Sequence, residues 1–256
     1  MAPTSSPRPL PFGTDRDEWV RHVVDIHFHP EHGSRFWVER ARELGVDARR
    51  DIRGYADLAL LGFFPIDALR TRNVLDFLPA SLAKDRGGIH VHETGGTTGS
   101  PSRVPLRDYF RTINRFVNWY LDEVVGFPRK GNWLFIGPTG PHGIAESTLN
   151  MADTRDGICF LIDLDPRFIK LLYQQGDMRT VGLYMEHIRR QAYSILDTQQ
   201  IDILGSTPAL LQSLAPELKD WEALYLFLAA KGGLSTSEYR GASVAPADLR
   251  VRDVTP

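Results

Sequence analysis

The chain has 256 residues, 42% of them hydrophobic, which is enough to bury a core in one large or two modest domains. The formal net charge of −2 gives no basic field for nucleic acid and no cationic helix for a membrane surface, and the longest apolar runs are too short to cross a bilayer. The single cysteine, Cys159, excludes an intrachain disulfide, and the start lacks a signal-peptide core, so we expect a cytoplasmic protein.

The first third of the sequence predicts short helices without a repeating strand-helix pattern. Residues 1–18 are rich in Pro and Ser in their first part and predict a disordered leader. Residues 36–44 have helical spacing, and Gly45 is suited to end that helix at the C′ position. Prolines separate the further helical pieces, so residues 19–88 are interpreted as a helical N-terminal region.

The pattern changes from residue 89 onward. A long helix is predicted over residues 107–125. Its buried face is expected to comprise Tyr109, Ile113, Phe116, Val117, Tyr120, Leu121 and Val124. Short apolar runs at 133–136 and 158–162 are typical of strands buried on both faces, and residues 201–204 and 224–229 predict two further strands.

Helices are predicted between these strands. Asp165 and Pro166 form an N-cap and first-turn pair, with Gly176 as the C′ residue, and a second helix covers 180–199. The fold class is therefore α/β, with a mostly parallel sheet flanked by helices over residues 89–240. Residues 241–256 predict an irregular tail.

A segment rich in glycine and threonine, Glu-Thr-Gly-Gly-Thr-Thr-Gly-Ser-Pro, occupies residues 93–101, after an alternating run at 89–92 that predicts a strand. Glycines let successive backbone N–H groups turn inward, and threonine hydroxyls add donors, so such a loop can wrap several phosphate oxygens. No Lys-Ser or Lys-Thr follows the last glycine, which excludes a Walker phosphate loop. On composition alone the segment also fits a surface turn.

Residues 94–101 resemble the Thr-Ser-Gly-Thr-Thr-Gly-Lys-Pro signature of adenylate-forming enzymes, the superfamily of acyl-CoA synthetases, peptide-synthetase adenylation domains and luciferases. Six of the eight positions match, while Gly95 and Ser100 stand where the family has Ser and Lys. Within the superfamily, the chain is most similar to the phenylacetate-CoA ligase branch. The acidic start at Glu93 is similar to relatives from phenazine-antibiotic biosynthesis.

The resemblance implies ATP and Mg²⁺ as cofactors. In the family this loop holds the β- and γ-phosphates while a carboxylate, here expected to be aromatic or aryl-acetic, attacks the α-phosphate. A thiol, such as that of coenzyme A or a carrier protein, then captures the acyl-adenylate. Nucleotide affinity is expected to be low without the family's lysine, unless Arg103 supplies the charge. By resemblance the phosphate cradle is Thr94, Gly95, Gly96, Thr97, Thr98, Gly99 and Ser100.

Two other segments gain a role from the resemblance. His142 and Gly143 follow the predicted strand at 133–136 and would border the acyl-substrate pocket, although a tight turn explains them equally well. Gly232 and Gly233 match the position where relatives place a turn against the adenine ring, because a bare backbone lets a flat base approach. An ordinary strand-end turn is the alternative for this pair.

The resemblance covers only the first half of the family's large N-terminal domain. The aromatic-Gly-x-Thr-Glu segment, whose Glu helps hold Mg²⁺ in the family, does not occur in the sequence. By comparison with the family, we also expect the C-terminal lid domain to be missing. We therefore expect an incomplete adenylating-enzyme domain that binds nucleotide weakly and does not catalyse adenylation. No catalytic residue is assigned.

Two alternatives belong to other classes. His27 and His29 resemble the His-x-His on the first strand of metal-dependent amidohydrolases, where both imidazoles bind zinc. Loop histidines explain this pair better, since the first third lacks the repeating strand-helix pattern of a (β/α)8 enzyme. The other alternative is a non-catalytic binding module.

Overall fold

A computed structural model describes residues 15–96, 99–214 and 225–228 of the chain. The chain divides into two compact units, Met1–Thr112 and Ile113–Pro256, and each is described by itself. Among the described residues, none of the helices is both long enough and apolar enough to span a bilayer.

The first unit contains short helices followed by a β-hairpin, as the sequence indicates for its helical part. The α-helices are α1 (Arg16–His27), α2 (Arg35–Leu44), α3 (Ala48–Asp51), α4 (Ala68–Thr71) and α5 (Ala80–Lys84). Two 3₁₀ helices, Tyr55–Leu61 and Val74–Phe77, lie between them. The hairpin consists of the strands β1 (Ile89–Glu93) and β2 (Arg103–Arg107).

Local capping chemistry sets the ends of the longer helices in this unit. The Asp15 carboxylate accepts hydrogen bonds from the backbone N–H groups of Asp17 and Glu18, so α1 begins at Arg16, inside the stretch predicted as a leader. Residues 1–14 of that predicted leader lie outside the described residues. Gly45 adopts φ 67° and ends α2, which confirms its predicted C′ role.

Two apolar groups hold the first unit together. One is formed by α1, α3 and the first 3₁₀ helix, and its buried members are Val20, Val24, Ala48, Ile52 and Leu61. The other is aromatic and joins α2 to the second 3₁₀ helix, with Phe36 centred 4.9 Å from Phe77 and 5.3 Å from Phe64. These irregular segments are therefore ordered by burial rather than by long regular elements.

The second unit is an α/β unit, which confirms the predicted class. Its strands are β3 (Trp133–Gly137), β4 (Cys159–Asp163), β5 (Ile203–Ser206) and β6 (Tyr225–Leu228). Its helices are α7 (Gly143–Asp153), α8 (Pro166–Gln175), α9 (Met178–Leu196) and α10 (Pro208–Leu214). Helix α6 (Tyr109–Tyr120) contains the division between the units and continues as a π-helical turn, Leu121–Val125.

The four strands form one parallel sheet in the order β4-β3-β5-β6. The chain moves from β3 to β4 in one direction and then from β4 to β5 and β6 in the other. Right-handed crossovers therefore place α7 on one face and α9 and α10 on the opposite face. The packing agrees with this arrangement. Trp133 and Ile203 pack against Met151 of α7, whereas Leu134 and Leu204 pack against residues of α9 and α10.

The face that helix α6 buries differs from the prediction. Tyr109 and Phe116, both predicted to be buried, are each 47% exposed, whereas the polar Asn114 is only 1% exposed. The Asn114 amide donates to the Ser147 carbonyl at 2.9 Å and to Asn150 Oδ1 at 3.1 Å, so its burial is compensated by α7. Leu121 is buried as predicted.

Candidate functional site

The glycine-rich segment forms the connection of the β1-β2 hairpin, and β2 is not among the strands predicted from the sequence. The Thr94 N–H donates to the Ser102 carbonyl at 3.0 Å, and the Ser102 N–H donates to Thr94 Oγ1 at the same distance. One step further down, Arg103 Nε lies 2.9 Å from Glu93 Oε1, between residues paired in the strand register. Both ends of the loop are therefore held together directly below it.

Two glycines in the loop adopt a backbone conformation that other residues rarely take. Gly96 has φ 65° and Gly99 has φ 139°. A Cβ atom at Gly96 would lie 3.0 Å from the Gly99 carbonyl oxygen and 3.2 Å from Pro101 Cγ. By contrast, a Cβ at Gly95 meets no atom of the described residues within 4 Å. Among the described residues of the bend, the tight point is therefore Gly96.

The other residues of the predicted phosphate cradle are in different situations. Thr97 and Thr98 lie outside the described residues, and Ser100 is exposed. Arg103, considered above as a replacement for the family's lysine, directs its Nε to Glu93, so this carboxylate already balances its charge. The described part of the loop therefore offers mainly backbone groups to a ligand.

The second predicted site lies at the carboxyl end of β3, as expected. His142 is the N-cap residue of α7 and Gly143 is its first residue. The loop before them is fixed by Asp163 at the end of β4, whose Oδ1 accepts from the Thr139 N–H at 2.9 Å and from Thr139 Oγ1 at 2.8 Å. Asp163 is not among the residues predicted from the sequence, although a polar residue ending an apolar strand run is a usable signal.

The strand order reverses between β3 and β5, since β3 connects toward β4 and β5 connects toward β6. In open parallel sheets, ligands bind in the crevice beyond the carboxyl ends of the strands at such a point. The loop carrying His142 follows β3 on one side of this reversal. On the other side, the buried Ser206 donates through Oγ to the Ile136 carbonyl at 2.8 Å, which is a structural role rather than that of a nucleophile.

The site residues predicted from the sequence belong to different parts of the chain. The glycine hairpin belongs to the first unit, whereas His142 and Gly143 belong to the second. Gly232 and Gly233 lie outside the described residues.

His27 and His29 do not share a strand, because the segment around them is the end of helix α1. Ser34 Oγ donates to the Phe77 carbonyl at 3.0 Å, so its short contact of 2.6 Å with His27 Nδ1 requires the imidazole to donate. His29 Nδ1 accepts from the backbone N–H groups of Glu31 and His32. Within the described residues, no cluster of three or more His, Cys, Asp or Glu side chains is placed to hold a metal ion.

We expect His27 to make stability depend on pH. Burial lowers the pKa of this imidazole below its ordinary value of 6.5, so the folded chain takes up a proton less readily than the unfolded chain. The neutral His27 therefore makes its full contribution to stability above about pH 6.5. This contribution is lost as the pH falls through that value toward the lower pKa of the folded chain. Urea unfolding between pH 5 and 8 measures this loss.

The matched variant is His27→Asn, whose amide can keep the hydrogen bond to Ser34 but does not titrate. Its unfolding midpoint is expected to change less between pH 7 and pH 5 than that of the natural chain. Equal changes in both proteins would contradict this role of His27.

Compared with models of known protein families and with curated protein sequences, the chain matches none.

Proposed function

We propose that the chain is the nucleotide- and carboxylate-binding part of an adenylate-forming ligase similar to the phenylacetate-CoA ligase branch. In this proposal, ATP and an aromatic or aryl-acetic carboxylate are the ligands, and a thiol such as coenzyme A is the acceptor of the acyl group. The supporting observation is the glycine bend itself: a strand leads into it, its ends are fixed by cross-strand contacts, and two of its glycines have positive φ.

Phosphate binding by this bend relies on its backbone. Successive N–H groups in a turn with positive-φ residues form a concave surface that suits phosphate oxygens. Because Arg103 contacts Glu93, the described loop supplies little net positive charge, which agrees with the low affinity expected from the missing lysine. Mg²⁺ would arrive with the nucleotide, held mainly by phosphate oxygens and water.

The carboxylate substrate is proposed to bind in the second unit. The crevice at the strand reversal is bordered by the loop from Pro138 to His142, and Asp163 fixes that loop through Thr139. Here the contribution of the protein is to position the acid, because adenylation depends largely on alignment and on neutralising phosphate charge.

The experiment compares alanine at the two adjacent glycines of the bend. Gly96→Ala places a Cβ against the Gly99 carbonyl at positive φ, whereas Gly95→Ala places one where no atom of the described residues lies within 4 Å. A left-handed conformation costs a non-glycine residue roughly 1–2 kcal/mol, so Gly96→Ala should weaken MgATP binding about tenfold. Gly95→Ala should change it by less than about twofold. Isothermal titration calorimetry measures both.

A control separates binding from general destabilisation. Gly45→Ala introduces similar backbone strain in the same unit at φ 67°, away from the bend, and should leave MgATP affinity unchanged. Equal weakening by Gly95→Ala and Gly96→Ala, or no saturable MgATP binding by the natural chain, would contradict the proposal.

A further inference from the structure

A small cavity in the first unit has arginines around an apolar floor. It lies between helix α1 and the segment of α3 with the two residues that follow it, and its volume is about 180 Å³. Each side supplies three residues at helical spacing i, i+3 and i+4. The lining is Arg21, Val24 and Asp25 from α1, and Arg49, Ile52 and Arg53 from the other side.

The floor and the rim of the cavity have different roles. Val24 is 3% exposed and Ile52 is 1% exposed, and both belong to the apolar core of the unit, so the floor is rigid. The four other lining residues are charged and exposed. The cavity therefore has a fixed apolar floor below four charged side chains.

The charges on the rim are not balanced. Arg49 Nε donates to Asp25 Oδ1 at 2.8 Å, so these two residues form an ion pair across the cavity. Arg21 and Arg53 have no such carboxylate partner on the rim, and Arg21 Nη1 instead donates to the Arg53 carbonyl at 2.7 Å. The lining therefore carries two more positive than negative charges, although the whole chain has a net charge of −2.

Neighbouring carboxylates are already engaged. Asp51 contacts Arg50 at 2.7 Å, and Asp57 accepts from the backbone N–H groups of Arg53 and Gly54. Asp15 caps α1. Asp51 also interacts electrostatically with Arg53, but within the described residues the Arg53 guanidinium makes no hydrogen bond or salt bridge, so its donors can meet a ligand.

We propose that this cavity binds a phosphate dianion, either inorganic phosphate or the terminal group of a small phosphomonoester. The two charges of the ligand match the excess of two on the lining. Guanidinium groups favour phosphate because their planar N–H donors bind two oxygens together. The volume is sufficient, since a water molecule takes about 30 Å³ in the liquid and the cavity is several times larger. None of the lining residues belongs to the glycine-rich loop.

The test titrates the full chain with inorganic phosphate and, separately, with glycerol 3-phosphate, at constant ionic strength maintained with sodium chloride. Arg53→Gln should weaken binding of the preferred ligand about tenfold, because one charge-assisted contact is lost. The matched control is Arg42→Gln, an exposed arginine on α2 that makes the same charge change and should have no effect.

A second variant tests whether removing a negative charge from the rim strengthens phosphate binding. Asp25→Asn removes the only carboxylate on the rim and releases Arg49, so phosphate should bind more tightly, by about threefold or more. Tighter binding of glycerol 3-phosphate identifies a phosphomonoester as the ligand, and tighter binding of inorganic phosphate identifies the free ion. Absence of saturable binding of both probes, or equal losses in the Arg53 and Arg42 variants, would overturn the proposal.

Discussion

Replacing Arg155 with Ala is expected to destabilise the second unit by about 3–5 kcal/mol. Only 3% of this side chain is exposed. Its Nη2 lies 2.9 Å from Asp122 Oδ1, and its Nε donates to Asn118 Oδ1 at 3.1 Å. The guanidinium also lies 5.3 Å from the centre of the Phe127 ring. Removal leaves the Asp122 carboxylate partly buried without this partner, which is why the cost exceeds that of a surface ion pair.

Two other variants make this prediction specific. Arg155→Lys keeps the charge but lacks the planar fork of donors, so it should recover only part of the lost free energy of unfolding. Arg190→Ala removes an exposed ion pair with Glu186 and should cost less than about 1 kcal/mol. Urea denaturation followed by circular dichroism measures all three. Similar losses for Arg155→Ala and Arg190→Ala would show that burial of the pair does not matter.

Gly157→Ala is expected to lower the free energy of unfolding by more than about 4 kcal/mol, a loss seen only for severe local disruption. A Cβ atom at this position would lie 2.0 Å from the Gly131 carbonyl oxygen and 3.0 Å from its carbonyl carbon. The backbone must therefore move just before β3 and β4 begin, next to the hydrogen bond of 2.7 Å from the Trp133 N–H to the Ile158 carbonyl. Movement there would separate β3 from its neighbour β4.

The control for this prediction is a variant that is expected to raise the free energy of unfolding. Gly182 lies in the exposed face of α9, and a Cβ there meets nothing within 4 Å. Gly182→Ala should therefore stabilise the chain by about 0.5–1 kcal/mol, because alanine loses less backbone entropy in a helix. Thermal unfolding of the two variants should shift in opposite directions. A mild effect of Gly157→Ala would mean that the strand ends relax easily around the added methyl group.

Much of the second unit could be predicted because its sequence signals are local. Asp165 accepts from the N–H groups of Arg167 and Phe168, Pro166 begins α8, and Gly176 ends it at φ 71°, all as the sequence indicates. The wholly apolar run in β3 is fully buried, since helices cover both faces of a parallel sheet. Caps and continuous apolar strands depend little on distant residues, so they can be read directly.

Strand β2 could not be predicted because Pro105 lies in its middle. Proline lacks an N–H donor and normally argues against a strand, but a two-stranded hairpin leaves one side of each strand unpaired, where this loss is tolerated. The prediction of the buried face of α6 was wrong for another reason. The sequence shows an aromatic face, but only the tertiary contacts with Ser147 and Asn150 show that Asn114 lies inside.

In the candidate site, too, the local features could be predicted from the sequence, whereas the long-range contacts could not. The glycine bend was identified from composition and order, and its flanking strand β1 was predicted as well. The salt bridge between Glu93 and Arg103 depends on a strand register that exists only once β2 is known. The Asp163–Thr139 contact likewise joins two strand ends far apart in sequence.

The environment of Cys159 on β4 has a practical consequence. Burial raises the pKa of its thiol to about 11, with a smaller contribution from Asp153, so the reactive thiolate is scarce at neutral pH. The chain has no other cysteine. A cysteine introduced at the exposed Ser100 should therefore react with a maleimide dye far faster than the natural thiol. A fluorophore attached there would report on the hairpin bend against a nearly unlabelled background.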